Sequence, residues 1–230
     1  MTNTADLRDT AATWLSAKPE LQAFSAYFNA KQAGLKAAAK QAVDTFAAQL
    51  EQAPLAEAIS LVRTLDEARR LFGAIPGFMP YPVAMAASRV CQRWEEEDAA
   101  AADPLVFRAG FEWNPDLFAQ ALERDPHHPA ALRGRILDLL RRVSDAFHTV
   151  ERGALSEPEP DVRAAMHALA TLCAQLQAPD FTQAVLEELD LFQEVLAGLD
   201  AWRAAGQPGS FTAYMQAQGL DLNALPGFFA

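Results

Sequence analysis

The sequence predicts an all-α protein, and three observations support that prediction. First, alanine occurs 48 times and leucine 28 times in 230 residues, whereas valine and isoleucine together occur 13 times. Alanine and leucine lose little side-chain freedom in a helix, while β-branched residues favour sheets. Second, apolar residues recur at spacings of three, four and seven, which is the helical period. Third, prolines and caps divide this pattern into segments of helical length.

We expect about nine helices joined by short connections. The predicted helices span approximately residues 5–17, 19–50, 54–72, 82–98, 114–124, 129–147, 162–176, 180–202 and 210–219. Most of them begin at a proline, whose missing N–H costs no hydrogen bond in the first helical turn. Asp180 with Gln183 forms a predicted capping box, and Ser210 is the predicted cap of the last helix. Leu105–Phe107 is the one short segment whose residues are also compatible with an extended conformation.

Short connections between these helices predict antiparallel hairpins, packed as a bundle or as a short solenoid. We expect a single all-helical domain over residues 1–230. The segment 153–160 contains Gly153, Pro158 and Pro160 among acidic residues. This composition is typical of a hinge, which would separate residues 1–152 from a C-terminal helical part, 161–230.

The bulk charge excludes some classes of partner. The formal net charge is −11, and all four lysines lie within the first forty residues. Such a chain repels a phosphate backbone, so we expect no nucleic-acid partner. Charged residues interrupt every apolar run, and the N-terminal residues lack the pattern of a secretory signal, so we expect no membrane association. Two cysteines, far apart, do not form a disulfide framework, and the chain is therefore expected to be cytoplasmic.

One junction between predicted helices matches a known repeat pattern. Phe118 is followed three residues later by Ala121 and then, after five more, by Pro126. The small residue lets two helices approach, and the proline ends one helix before the next begins. The segment Phe118–Leu132 thus resembles a tetratricopeptide-repeat junction, and Pro160 follows Pro126 by one repeat of 34 residues. The same register departs from the family pattern at Asp98, Ala101, Ala102, Arg135, Ile136 and His148. The resemblance implies stacked helical hairpins and a protein-binding scaffold.

Catalytic and metal-binding signatures are absent from the sequence. No nucleophile elbow, phosphate-binding loop or zinc-protease motif occurs. Asp145 and His148 share a predicted helix face, but di-iron bundles require a second such pair and further carboxylates. Cys91 lies in an apolar helical pattern, where cysteine usually packs as an inert side chain. We therefore expect no catalytic residues, no metal and no cofactor.

Two connecting segments contain more aromatic and apolar residues than a connection needs. They are residues 73–82 (GAIPGFMPYP) and residues 105–113. Aromatic residues and methionine are enriched at the cores of protein interfaces. The predicted partner-contact residues in these segments are Phe78, Met79, Tyr81, Phe107 and Trp113. In the alternative interpretation, both segments fold back and cover the ends of the bundle.

Four consecutive acidic residues end the fourth predicted helix. They are Glu95, Glu96, Glu97 and Asp98. Negative charge is unfavourable at a helix C-terminus, because the macrodipole is also negative there. The run therefore indicates a basic neighbour, either within the chain or on a partner, and we include it in the predicted partner surface.

The sequence thus favours a non-catalytic, acidic helical module that acts as a scaffold or adaptor. We expect its partner to be a protein that binds an apolar and aromatic patch bordered by acidic residues. Such a patch favours a partner with a basic surface. A first alternative is an immunity-type neutraliser of a basic toxin, since acidic charge accelerates encounter with a basic protein. A second alternative is a helical-bundle enzyme or small-ligand binder whose site carries no motif.

Overall fold

A computed structural model of the chain describes residues 4–220 and residue 222, whose regular structure is entirely helical. The α-helices are α1 (Thr4–Ser16), α2 (Gln22–Gln32), α3 (Lys36–Gln52), α4 (Leu55–Phe72), α5 (Tyr81–Glu97), α6 (Asp103–Glu112), α7 (Asp116–Arg124), α8 (Pro129–Phe147), α9 (Glu159–Gln175), α10 (Pro179–Ala204) and α11 (Phe211–Ala217). Two 3-10 helices, Pro19–Leu21 and Val150–Arg152, complete these elements. The all-α prediction is confirmed for this part of the chain. The predicted number of about nine helices is wrong, because two further α-helices are present.

The first additional helix arises because the chain turns at Gly34. This glycine has φ +72°, which it adopts without the penalty that a Cβ would impose. The N–H of Leu35 donates to the Ala30 carbonyl at 2.8 Å, and the N–H of Gly34 donates to the Lys31 carbonyl at 3.0 Å. This pair of hydrogen bonds is a Schellman motif, which ends a helix. The predicted helix over 19–50 is therefore divided into α2 and α3.

The second additional helix is α6, which includes Leu105–Phe107, the segment that could also have been extended. Pro104 lies in its first turn, where proline is favoured. Leu105 and Ala109 are buried on one face, four residues apart. Arg108 and Glu112 form an ion pair at 2.9 Å with the same spacing. Packing and pairing at helical spacing outweigh the weak strand preference of Val106 and Phe107.

The described chain forms two compact units, residues 1–125 and residues 126–230. The predicted hinge segment, 153–160, lies within the second unit: residues 153–158 connect α8 to α9, and residues 159–160 begin α9. Ser156 there is tied to α8, since its N–H donates to the Ala146 carbonyl at 2.9 Å. The single domain and the hinge at 153–160 stay predictions.

The first unit has a core built from α1–α6 and from the connection between α4 and α5. Its fully buried side chains include those of Leu15, Phe24, Phe46, Leu65, Ile75, Phe78 and Val83. Contacts between side chains also show the relative directions of two helices. Ser88 and Glu95 of α5 contact Glu112 and Arg108 of α6 respectively, so these two helices are antiparallel.

The second unit packs α8–α11 around its own aromatic core. The rings of Phe147 and Phe192 lie 4.7 Å apart, and those of Trp202 and Phe211 lie 5.6 Å apart. Ser210 caps α11 as predicted, accepting a hydrogen bond from the Ala213 N–H at 3.2 Å. The predicted capping box on α10 is wrong. This helix begins at Pro179 without a side-chain cap, and the Gln183 side chain donates to Glu187 instead.

Candidate functional site

The structure places Phe78 in the core of the first unit. Its side chain is 1% exposed. Its ring lies 5.5 Å from that of Phe24 and 5.7 Å from those of Phe28 and Phe72. Met79 beside it is half-buried against the same core. These two predicted contact residues therefore pack inward, as in the alternative interpretation in which the segment covers the bundle.

The segment containing Phe78 is held on α2 by polar contacts. Lys31 Nζ donates to the carbonyls of Pro76 at 2.7 Å and Gly77 at 2.6 Å. The Tyr27 hydroxyl also donates to the Gly77 carbonyl. Burial, together with the positive charge of Arg8, lowers the pKa of Lys31. These contacts fix the connection between α4 and α5 against the end of α2.

Tyr81 and Trp113 are the predicted contact residues that the structure leaves on the surface. Tyr81, the first residue of α5, is 75% exposed, and Trp113, at the C-terminus of α6, is 82% exposed. Leu35 and Leu71 are also more than half exposed. Sequence reasoning missed both leucines, because each continues an apolar helical pattern and gives no local sign of exposure.

These four side chains lie at one end of the first unit. Leu35 joins α2 to α3, Leu71 precedes the connection from α4 to α5, and Tyr81 follows it. The Lys31 contacts to Pro76 and Gly77 bring the first two of these helix junctions together. We call this end of the unit, with Leu35, Leu71, Tyr81 and Trp113, the apolar end.

Arg69 brings the third junction, which contains Trp113, to the same end. Its guanidinium lies close to Gly110 and 5.9 Å from the centre of the Phe111 ring. Arg69 is in the last turn of α4, and Gly110 and Phe111 are in the last turn of α6. The C-termini of α4 and α6 are therefore neighbours, and Trp113 follows directly.

The backbone of Trp113 is left-handed, with φ 56°. The next residue, Asn114, donates its N–H to the Ala109 carbonyl at 3.2 Å, which closes the end of α6. Glycine commonly occupies such a position, and a bulky residue there costs about 1–2 kcal/mol. A mostly exposed tryptophan in this conformation contributes little to the packing of the unit.

The acidic run lies at the opposite end of α5 from Tyr81. At a rise of about 1.5 Å per residue, the helix separates Tyr81 from Glu97 by about 24 Å. Glu96, Glu97 and Asp98 are exposed. The structure therefore places Tyr81 and the acidic run at opposite ends of α5, and the role of these residues in binding a partner stays a prediction.

Glu95 has the basic neighbours that its position indicates, and they are within the chain. It pairs with Arg108 of α6 at 2.8 Å and with Arg124 of α7. Arg124 also donates to the Ala101 carbonyl at 3.0 Å. This first residue of the acidic run thus joins three helices. Glu95 is only 23% exposed, so little of its side chain faces a partner.

The same network continues through Arg108 to Glu112 and Ser88. Burial alone would raise the pKa of Glu112, but hydrogen bonds from Arg108 and Ser88, with the charge of Arg108, lower it overall. Burial raises the pKa of the nearby Cys91 thiol to about 12. Cys91 therefore stays protonated near neutral pH, where a nucleophile would need to be a thiolate. The network holds α5, α6 and α7 together.

Phe107 is half-buried rather than free for a partner. Its ring lies 6.1 Å from that of Trp94 near the end of α5, and Arg63 lies 5.2 Å from the centre of the same tryptophan ring. Arg63 also pairs with Asp103 at 3.2 Å. Phe107 thus helps to pack α6 on α5, away from the apolar end.

Charge is distributed unequally between the two ends of the first unit. The junction segments of the apolar end (29–39, 69–84 and 109–119) contain four cations and two carboxylates, and Asp66, which pairs with Arg69 and Arg70, brings the formal charge to +1. At the other end, 49–58 and 94–106 contain seven carboxylates and no cation. Arg93 donates to the Glu51 carbonyl at 3.1 Å, which places these two segments together. We call this the acidic end.

Within residues 4–220 and 222, no three histidine, cysteine, aspartate or glutamate side chains form a group suited to hold a metal ion. None of the helices of this part of the chain is both long enough and apolar enough to cross a membrane. Comparisons of the chain with protein-family models, with curated proteins and with solved structures gave no match. The apolar end is the candidate functional site on the strength of its own geometry.

Proposed function

We propose that this chain is a cytoplasmic protein-interaction module, and that its partner docks on the apolar end of the first unit. One observation carries the proposal. Five large apolar side chains are exposed among the described residues, and four of them, Leu35, Leu71, Tyr81 and Trp113, lie at this end. The fifth is Leu137 of α8. Apolar side chains gathered at one place on a surface indicate an interaction site, whereas single ones need no explanation.

The types of residue also favour a protein interface. Tryptophan and tyrosine are enriched among the residues that contribute most of the binding energy at such interfaces. Each buries about 150–250 Å² when covered, which at about 25 cal/mol per Å² corresponds to roughly 4–6 kcal/mol before the costs of association. The first unit has a separate aromatic core around Phe78, so folding does not require Tyr81 and Trp113 to be aromatic.

A paired affinity-capture experiment tests this proposal. The wild-type chain, a Tyr81→Ser/Trp113→Ser variant and a Leu137→Ser control are immobilised at equal density and exposed to the same cell lysate. We expect a stoichiometric protein that the wild type and the control retain and that the double variant loses. Equal retention by all three would contradict the proposal. Circular dichroism and thermal unfolding verify that each variant is folded.

The resemblance of Phe118–Leu132 to a tetratricopeptide junction supports the same class of function, because such repeats present surfaces for protein partners. The boundary between the two compact units falls inside this segment, after Asp125. A solenoid arrangement of the helices stays a prediction. Small-angle scattering tests it, since a solenoid is more elongated than a closed bundle of the same length.

A second candidate function is neutralisation of a basic protein through acidic surfaces. The acidic end supports it, since only three of its seven carboxylates, Glu51, Glu95 and Asp103, form ion pairs with arginines of neighbouring segments among the described residues. Encounter with a basic partner would then slow steeply as salt is added. The Tyr81→Ser/Trp113→Ser variant separates the two functions, since it would keep this salt-dependent association with a basic protein and would lose docking on the apolar end.

A further inference from the structure

We infer that the partner presents an apolar surface flanked by carboxylates, an inference that rests on the proposed docking at the apolar end. Its basis is the charge around that end. Lys36 is exposed at the first turn of α3, and no ion pair to it occurs among the described residues. Lys31 is bound to two backbone carbonyls, which leaves its charge without a carboxylate there.

Arg69 and Arg70 add positive charge, because they share a single carboxylate. Asp66 accepts from Arg69 at 2.7 Å and from Arg70 at 2.9 Å, and its own side chain is 6% exposed. Arg70 is 63% exposed, so its charge reaches the surface beside Leu71. Positive groups thus adjoin the exposed leucines. A partner that covers the leucines would bring its flanking groups within a few ångströms of these cations, inside the screening length of about 8–10 Å.

The charges at the two ends of the first unit indicate which sign of charge a partner at the apolar end should carry. A basic partner would gain at the acidic end and lose at the apolar end, where its apolar face must lie. An acidic partner gains at the apolar end, where the junction segments together with Asp66 carry +1 against −11 for the whole chain. Complementary charge at the rim of an interface sets specificity and register. This inference differs from our expectation of a basic partner, which stays a prediction.

Two other occupants fit less well. An anionic bilayer would also attract lysine and arginine, but it extends far beyond the site and would repel a chain of net charge −11. The acidic end of a second copy has suitable charge. However, its segments 49–58 and 94–106 contain none of the large exposed apolar side chains found among the described residues, so it could not cover the apolar end.

Peptide binding tests the inference on the full chain. The probes are two fluorescent 18-residue amphipathic helices with the same leucine and tryptophan stripe, one flanked by glutamates and one by lysines. We expect the glutamate peptide to bind at least about tenfold more tightly at low salt, with the ratio falling as salt is added. The variant Lys36→Glu/Arg70→Gln should lose most of that preference. Arg69 still pairs with Asp66 in this variant, so we expect it to fold.

A matched control is available in the second unit. Arg141 shares Asp138 with Arg135, as Arg70 shares Asp66 with Arg69, and Arg152 is 78% exposed. Arg152→Glu/Arg141→Gln therefore makes the same change in net charge within the second unit. We expect it to preserve most of the preference for the glutamate peptide. A similar loss of preference in the control would overturn the inference, because the total charge would then set the preference.

The remaining outcomes separate the inference from the proposed function. If both peptides bind equally and Tyr81→Ser/Trp113→Ser loses both, docking at the apolar end stands and the acidic partner is refuted. If that variant binds both as the wild type does, or if neither peptide binds the wild type, both proposals fail. Two further assays look for another occupant: sedimentation with vesicles of phosphatidylcholine and phosphatidylserine, and self-association measured by ultracentrifugation. If either kind of binding occurred and Tyr81→Ser/Trp113→Ser abolished it, the inference would be overturned.

Discussion

Replacement of Phe78 by alanine is expected to destabilise the first unit strongly, although Phe78 lies in a connection between helices. Truncation of a buried phenylalanine costs about 3–5 kcal/mol. Three aromatic rings within 5.7 Å of Phe78 lose a partner, which supports a value near the middle of that range. For a unit of 125 residues, an unfolding entropy of about 2.1 cal/mol/K per residue converts a loss of about 4 kcal/mol into a fall in Tm of roughly 15 °C.

The assay is urea unfolding and calorimetry of the full chain, with Tyr81→Ala as the control. Tyr81 is three residues away and 75% exposed, so we expect its truncation to change stability by less than about 0.5 kcal/mol. Phe78→Leu provides a graded variant, expected to lose about 1–2 kcal/mol while still folding. If Phe78→Ala and Tyr81→Ala unfolded at the same urea concentration, the connection would not be part of the core and our reasoning would be refuted.

Three further predictions concern buried groups. Near pH 8 the raised pKa of Cys91 leaves about one thiol in ten thousand ionised, so Cys91 should resist thiolate reagents until the protein is unfolded in urea; rapid native labelling would contradict this. The pKa of Glu112 is lower in the folded state than its usual 4.5. The ionised Glu112 therefore stabilises the folded state fully above about pH 4.5, and this stabilisation is lost as the pH falls further. The free energy of unfolding of the wild type should therefore exceed that of Glu112→Gln by about 1–2 kcal/mol at pH 7, and this difference should become smaller in acid. A difference that stayed constant from pH 7 to pH 3 would be inconsistent with the network. Gly153 has φ +76° and faces the Trp202 ring, so Gly153→Ala should cost about 2–4 kcal/mol in urea unfolding; a neutral effect would show that the second unit is loosely packed there.

Local signals in the sequence predicted the helical class and many of the helix boundaries. Pro129 opens α8 and Ser210 caps α11, because both act on neighbouring backbone groups only. The sequence shows a glycine at position 34 but does not show that a helix ends there, because a glycine within a helical pattern is often tolerated. The start of α6 contains Asp103 and Pro104, a local signal for the start of a helix that our sequence analysis did not use.

The candidate site depended on tertiary contacts that no local pattern encodes. Aromatic composition identified Phe78 and Tyr81 together, yet one is buried and the other is exposed. The difference arises because Lys31 and Tyr27 of α2 fix the connecting segment with Phe78 facing inward. The separation of Tyr81 from the acidic run follows from the length of α5. The position of Trp113 beside α4 required the contact between Arg69 and the end of α6.

Hydroxyl-radical footprinting of the free chain and of its complex with the captured partner tests the central claim most directly. In the free chain, Trp113 and Tyr81 should be oxidised readily, as should Leu137 to a smaller extent, since they are 82%, 75% and 48% exposed. In the complex, we expect Trp113 and Tyr81 to be protected and Leu137 to react as before. Unchanged oxidation of Trp113 and Tyr81, with protection elsewhere on the chain, would show that the apolar end is not where the partner binds.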